Sequence, residues 1–118
     1  MTFREFEQVV HEAAESVPSE FKEVLAAGEI RIVPRQKVPQ PLRAAHKGST
    51  VFGVFIGVPY GRFTNLQTEP TRIELYKESF DEYYTTAEEI KKQIQVTVVH
   101  EIAHYFGFSE KKIRALGY

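Results

Sequence analysis

The sequence predicts an α+β fold in which a three-stranded mixed sheet packs against one long helix, with additional short helices. Three observations predict this fold. Two N-terminal stretches place apolar residues at helical spacing, three short stretches have strand patterns, and residues 86–106 form one long helical pattern. The 118 residues suit a single domain spanning residues 1–118, with the helices and strands in the order α-α-β-β-β-α-α.

The first two helices are predicted from apolar spacing and from the residues that end them. Residues 3–16 carry an apolar stripe and stop before a proline; the stripe consists of Phe3, Phe6, Val10 and Ala13 or Ala14. A second helix follows, with Ser19 expected as its N-cap and Gly28 as its stop.

Three strand patterns follow these helices. Residues 30–34 alternate and end at a proline, whereas residues 51–57 form a continuous apolar run that is typical of a central strand. Residues 71–78, "TRIELYKE", alternate between apolar and polar side chains, so we expect a strand at the edge of the sheet. Residues 35–50 and 58–70 lack periodicity and are predicted to be long loops.

The long helix is predicted to begin after Thr86, because Thr86 and Glu89 have the spacing of a capping box. It is expected to run to about Phe106, and residues 110–118 to form a short last helix. Val96, Val98, Val99, Ile102, Ala103, Tyr105 and Phe106 make its second half apolar nearly all round, which predicts burial.

Composition excludes several classes of function. The net charge is −1 and no run of lysine or arginine stands out, which argues against a nucleic-acid partner. No apolar run approaches the roughly 20 residues that span a bilayer. With no cysteine, disulfides and thiolate metal sites are excluded. We expect a cytoplasmic protein with no membrane partner, and the sequence is silent on oligomeric state.

The stretch "HEIAH", residues 100–104, contains the residues that indicate a metal site with a general base. On a helix, His100 and His104 are separated by about 40° around the axis, so both imidazoles can hold one ion. Glu101 lies to the side of the pair, where it can act as a general base towards a zinc-bound water. Satisfied core histidines with an ion-paired Glu101 are the alternative. The similar stretch at residues 11–15 ends in Glu15 and is predicted to be an exposed helix face.

A zinc site with two histidines needs a third protein ligand to leave one open position. Fourteen residues follow His104, so we expect the ligand to be local. Gly107 permits a left-handed turn that directs Glu110 back at the metal. Alternatively, Glu110 begins the last helix with Ser109 as its cap. His46, in the first long loop, is the reserve ligand.

The stretch "HEIAHYFGFSE" resembles the extended zincin signature His-Glu-x-x-His-x-x-Gly-x-x followed by histidine or aspartate. With "VFGVFIGVPYGR" and "PTRIELYKESF", it is similar to the minimal-zincin family of small bacterial zinc metallopeptidases. The resemblance covers about the last 70 residues and implies a small zincin-like domain with one zinc ion on the two histidines and Glu101 as catalytic base. Position 110 in that family is commonly aspartate, so Glu110 is a departure. Met1 is the only methionine, which excludes the methionine turn of the metzincins.

Substrate contacts are predicted around this centre. The strand at residues 71–78 is expected to pair with an extended peptide, which makes Arg72 and Glu74 candidates. Tyr60, in a loop that resembles the family's active-site loop, is a candidate for binding substrate and, with Arg62 and Tyr105, for stabilising the developing oxyanion. An ordinary amphipathic strand and ordinary packing are the alternatives.

The function predicted from these residues is a zinc-dependent metallopeptidase acting on peptides or on exposed protein segments. A zinc-bound water activated by Glu101 would hydrolyse the peptide bond. The alternative is a non-catalytic metal-binding or protein-interaction module on a zincin scaffold, and the third possibility is a structural domain without metal.

Overall fold

A computed structural model describes residues 1–57 and 71–118. The predicted second loop, with Tyr60 and Arg62, lies outside these residues. The described elements are α1 Phe3–Glu15, α2 Ser19–Ala27, β1 Arg31–Arg35, α3 Gln40–Ala45, β2 Gly53–Ile56, β3 Arg72–Tyr76, α4 Lys77–Tyr83, α5 Ala87–Phe106 and α6 Glu110–Ala115. The predicted α+β class, with a three-stranded mixed sheet and a long helix, is confirmed.

The starts of α1 and α5 are set by capping boxes. Thr2 accepts a hydrogen bond from the Glu5 N–H, and the Glu5 side chain accepts one from Thr2 in return. Thr86 and Glu89 make the same reciprocal pair at α5, as predicted. The N-cap predicted for α2 is wrong by one position, because Ser19 is the first helical residue and Pro18 precedes it.

The order of the strands differs from the prediction. The described sheet runs β1-β3-β2, with β1 parallel and β2 antiparallel to β3. The apolar strand β2 is therefore at an edge of this sheet and the alternating strand β3 is central. Glu74, on the central strand, is only 4% exposed. Its charge is tolerated there because it is paired with Arg72 at 2.8 Å and with Arg35 at 3.3 Å.

The predicted first loop contains the short helix α3, and the predicted third strand ends two residues early because Lys77 begins α4. A distant contact fixes both elements. The Glu78 carboxylate accepts hydrogen bonds from the Val38 N–H at 2.6 Å and from Arg43 on α3 at 2.7 Å. Partners that lie 35 to 40 residues apart leave no local periodicity, so the sequence pattern missed them.

Helix α5 is the centre of the hydrophobic core. One side of it packs on α1 and the other on the sheet, and its fully buried residues include Ile94, Val98 and Ile102. The predicted all-round burial of its second half is wrong at His104, whose side chain is 68% exposed. Among the described residues, no helix is both long and apolar enough to cross a membrane.

Strand β2 approaches α5 closely because residue 53 is glycine. A Cβ at this position would lie 2.7 Å from the Glu74 carbonyl oxygen and 3.1 Å from the Thr97 Cγ2 on α5. The missing side chain therefore brings the edge strand against the helix that carries the histidines.

Candidate metal centre

The two histidines of the motif lie on the last two turns of α5, as their spacing predicts. Their ring centroids are 6.2 Å apart, and His100 is half-buried whereas His104 is exposed. Both rings face the same side of the helix, because residues four apart are almost eclipsed along a helix axis.

Glycine at position 107 ends α5 in the left-handed conformation, with φ 77°. This turn lets the Phe108 N–H donate to the Ala103 carbonyl at 2.9 Å and sends the chain back beside the helix. The predicted left-handed turn is confirmed.

Glu110 fits both interpretations that the sequence left open. It is the first residue of α6, and Ser109 caps that helix by accepting a hydrogen bond from the Lys112 N–H. Its Oε1 also lies 3.8 Å from the Nε2 of His104. A residue at the start of α6 can therefore serve the helix with its backbone and the centre with its side chain.

The donor set suits zinc. One ligand atom from each of His100, His104 and Glu110 lies within 4.8 Å of the others. Two imidazoles and a carboxylate are ligands that zinc takes in catalytic sites, and its bonds of about 2.0–2.1 Å place neighbouring donors about 3.3 Å apart. The donors need only a short approach, which the exposed side chains of His104 and Glu110 can make by rotation.

Glu101 lies between the histidine pair and strand β2. The Phe55 N–H donates a hydrogen bond to its carboxylate. Burial raises the pKa of Glu101 above its ordinary value, and the lowering effects of His104, the Phe55 N–H and His100 do not cancel that rise. The carboxylate is consequently more basic than one in water.

A cleft of about 400 Å³ opens beside these residues, between β2 and α5. His100 and Glu101 line one wall, Gly53 and Thr50 line another, and His46 reaches its rim. His46 is not part of the group that can hold a metal among the described residues, so its sequence-based role as reserve ligand has no support in the geometry.

The structure bears differently on the predicted contacts of Arg72 and Glu74 and on that of Tyr105. Arg72 and Glu74 were predicted on the premise that β3 is an edge strand, and that premise is wrong because β1 and β2 flank it. Their side chains pair with each other instead. The ring of Tyr105 stacks on Phe55, with centroids 3.8 Å apart, and burial raises the pKa of its hydroxyl. Its role as an oxyanion donor stays a prediction.

Sequence reasoning missed two main-chain groups at the centre. One is the Phe55 N–H on Glu101, and the other is the Tyr118 main-chain oxygen, which lies 3.2 Å from the Nε2 of His100. Backbone groups carry no residue-type signal, so no motif in the sequence would have revealed either.

Comparison with known proteins agrees with this geometry. The family model described as zincin-like metallopeptidase matches residues 29–118, which include the three strands and the histidine helix. The chain belongs to the zincin-like metallopeptidase family. The resemblance to minimal zincins is thereby confirmed, and membership of this zincin-like family implies a bound metal.

A solved structure shares the fold of this zincin-like protein. It is a conserved hypothetical protein from Thermo thermophilus, 24% identical, with a TM-score of 0.55 over 90% of this chain and 94% of that one. No curated protein shows significant similarity to the chain.

Proposed function

We propose that this zincin-like protein is a zinc-dependent peptidase that hydrolyses peptide bonds in the cleft between β2 and α5. The position of Glu101 carries the proposal, because its half-buried carboxylate lies beside the histidine pair and lines the cleft. One zinc ion on His100, His104 and Glu110 would supply a Lewis acid for the scissile carbonyl and lower the pKa of a water.

Glu101 acts as the general base. Its carboxylate would take the proton of the attacking water, and the same carboxyl could then pass that proton to the leaving amine.

Strand β2 offers the substrate a place to bind. Tyr76 donates to the Phe52 carbonyl, and the alternation of an antiparallel ladder then turns the N–H and C=O of Gly53 away from β3. Gly53 also lines the cleft, so an extended peptide can pair with this edge. The peptide-binding edge is thus assigned to β2 rather than to the strand predicted from the sequence.

A second hollow of about 360 Å³ adjoins the cleft, because both are lined by His46, Thr50 and Val51. The two hollows together accommodate several residues of an extended chain. Both are open to solvent, which favours short peptides and exposed segments over the interior of folded proteins.

The test compares cleavage of an unbiased peptide library by the zinc-loaded wild type and by Glu101→Gln. Removing a general base is expected to lower turnover by about 10²–10⁴-fold. Glu88→Gln, which changes an exposed glutamate in the first turn of the same helix, is the matched control and is expected to retain full turnover. Equal background cleavage by the wild type and Glu101→Gln would refute the peptidase assignment.

Metal analysis separates this proposal from a domain without metal. The wild type is expected to bind one zinc ion per chain after reconstitution, and His100→Ala much less. Zinc binding without cleavage by the wild type would leave the non-catalytic metal-binding module as the better assignment.

A further inference from the structure

The Tyr118 main-chain oxygen lies 3.2 Å from the Nε2 of His100. It belongs to residues 116–118, the tail, which follows α6 and folds back over α5. Eighteen residues separate the two partners along the chain, so the contact depends on the whole turn between α5 and α6.

Three features hold the tail in this position. Gly117 adopts φ 89°, a conformation that glycine reaches without strain and that reverses the chain. The Tyr118 N–H donates to the Ile113 carbonyl at 3.0 Å. The Tyr118 ring lies under the Lys92 ammonium, 4.5 Å from Nζ to the ring centroid. With its N–H and its ring both engaged, Tyr118 directs its main-chain oxygen at His100.

The separation of 3.2 Å between the Tyr118 oxygen and the His100 Nε2 is also close to the distance between two ligands of one metal ion. Two donors on one tetrahedral zinc, with bonds of about 2.0–2.1 Å, are themselves about 3.3 Å apart. The Tyr118 oxygen therefore stands at the distance from His100 that a fellow ligand would occupy. His100, His104 and Glu110 supply three donors, and this oxygen would make a fourth.

We propose that the Tyr118 main-chain oxygen is a fourth donor to the metal centre and closes it until the tail moves aside. Structural zinc sites have four protein ligands, whereas catalytic ones keep one position open. A closed centre binds its ion more tightly and excludes substrate. The effect on turnover rests on the proposed peptidase function, but the effect on metal binding does not.

The experiment loosens the tail in two independent ways. Tyr118→Gly removes the ring and adds backbone freedom, and Lys92→Gln removes the cation above the ring. Tyr118→Phe keeps the ring and is the conservative variant, whereas Lys111→Gln changes an exposed lysine on α6 and is the control. Zinc affinity is measured by chelator competition, coordination by the visible spectrum of the cobalt-substituted protein, and folding by thermal unfolding without metal.

Tyr118→Gly and Lys92→Gln are expected to weaken zinc binding, Tyr118→Gly by about tenfold, because one donor is lost. The cobalt spectrum is expected to change as solvent replaces the Tyr118 oxygen, and peptide turnover to rise. Tyr118→Phe and Lys111→Gln are expected to behave as the wild type does.

Unchanged zinc affinity and an unchanged cobalt spectrum in Tyr118→Gly would overturn the proposal. An unchanged spectrum with lower affinity and lower turnover would also overturn it, since the Tyr118 oxygen would then only orient the His100 ring by a hydrogen bond. If affinity and spectrum change as expected but no variant cleaves peptides, the closed centre stands and the peptidase assignment fails.

Discussion

Replacing Gly53 with alanine tests how closely strand β2 must approach the histidine helix. The new Cβ would lie 2.7 Å from the Glu74 carbonyl oxygen, 2.9 Å from the Leu75 Cδ2 and 3.1 Å from the Thr97 Cγ2. Ordinary van der Waals contact begins at 3.4 Å, so the shortest contact falls 0.7 Å below it (3.4 − 2.7). Because this neighbour is the backbone of the central strand, β2 itself has to move.

The size of the effect follows from two opposing terms. Overfilling a packed site costs about 1–3 kcal/mol. Alanine loses less conformational entropy on folding than glycine, which returns about 0.5–1 kcal/mol. We therefore expect Gly53→Ala to lower the free energy of unfolding by about 1–2 kcal/mol, or Tm by about 4–8 °C for a chain of this size.

Urea denaturation and thermal unfolding measure this loss. A double variant with Thr97→Ser, which lacks the Cγ2, is expected to be less destabilised than the two single changes added together, by about 0.5 kcal/mol or more. Because the shift of β2 also moves the Phe55 N–H away from Glu101, turnover is expected to fall as well. A Gly53→Ala protein as stable as the wild type would refute the close approach of strand and helix.

Three further predictions follow from described contacts. Gly107→Ala forces alanine into a φ of 77° and is expected to lower the free energy of unfolding by about 1–2 kcal/mol. Because this turn places Glu110, zinc binding measured by chelator competition should also weaken. Burial raises the pKa of Glu74, but the hydrogen bonds and charges of its partners outweigh burial and hold the pKa below its ordinary value of 4.5. The wild type should therefore lose this stabilisation as pH falls below about 4.5. Glu74→Gln should be about 2–3 kcal/mol less stable at neutral pH in urea titrations. Its free energy of unfolding should also depend less on pH in the acid range than that of the wild type. Thr86→Ala removes a capping box and should cost about 1 kcal/mol in the same assay.

The features that could be predicted from the sequence depend on near neighbours in the chain. The capping box of Thr86 and Glu89, the placement of His100 and His104 on one helix face, and the left-handed turn at Gly107 each involve residues three or four apart or a single φ angle. In each case the residues that produce the feature lie close together in the sequence, so a local pattern is enough to predict it.

The order of the strands could not be predicted in this way. Alternation on β3 suggested an edge, because a polar face usually meets water, and the apolar run on β2 suggested the centre. The pattern cannot show that Arg35, on the neighbouring strand, adds a second cation to Glu74. Once those charges are paired, the polar face of β3 can be buried, and β2 is left at the edge of the described sheet, beside the cleft.

The sequence by itself determined that His100 and His104 lie on one helix face with Glu101 to their side, since helix geometry depends only on position along the chain. It also predicted the left-handed turn at Gly107. Only the tertiary structure decided what surrounds that group. It placed the Phe55 N–H on Glu101, the outer edge of β2 along the cleft and the Tyr118 oxygen beside His100. These are backbone groups, present at every residue, and long-range packing alone selects which of them reach the centre.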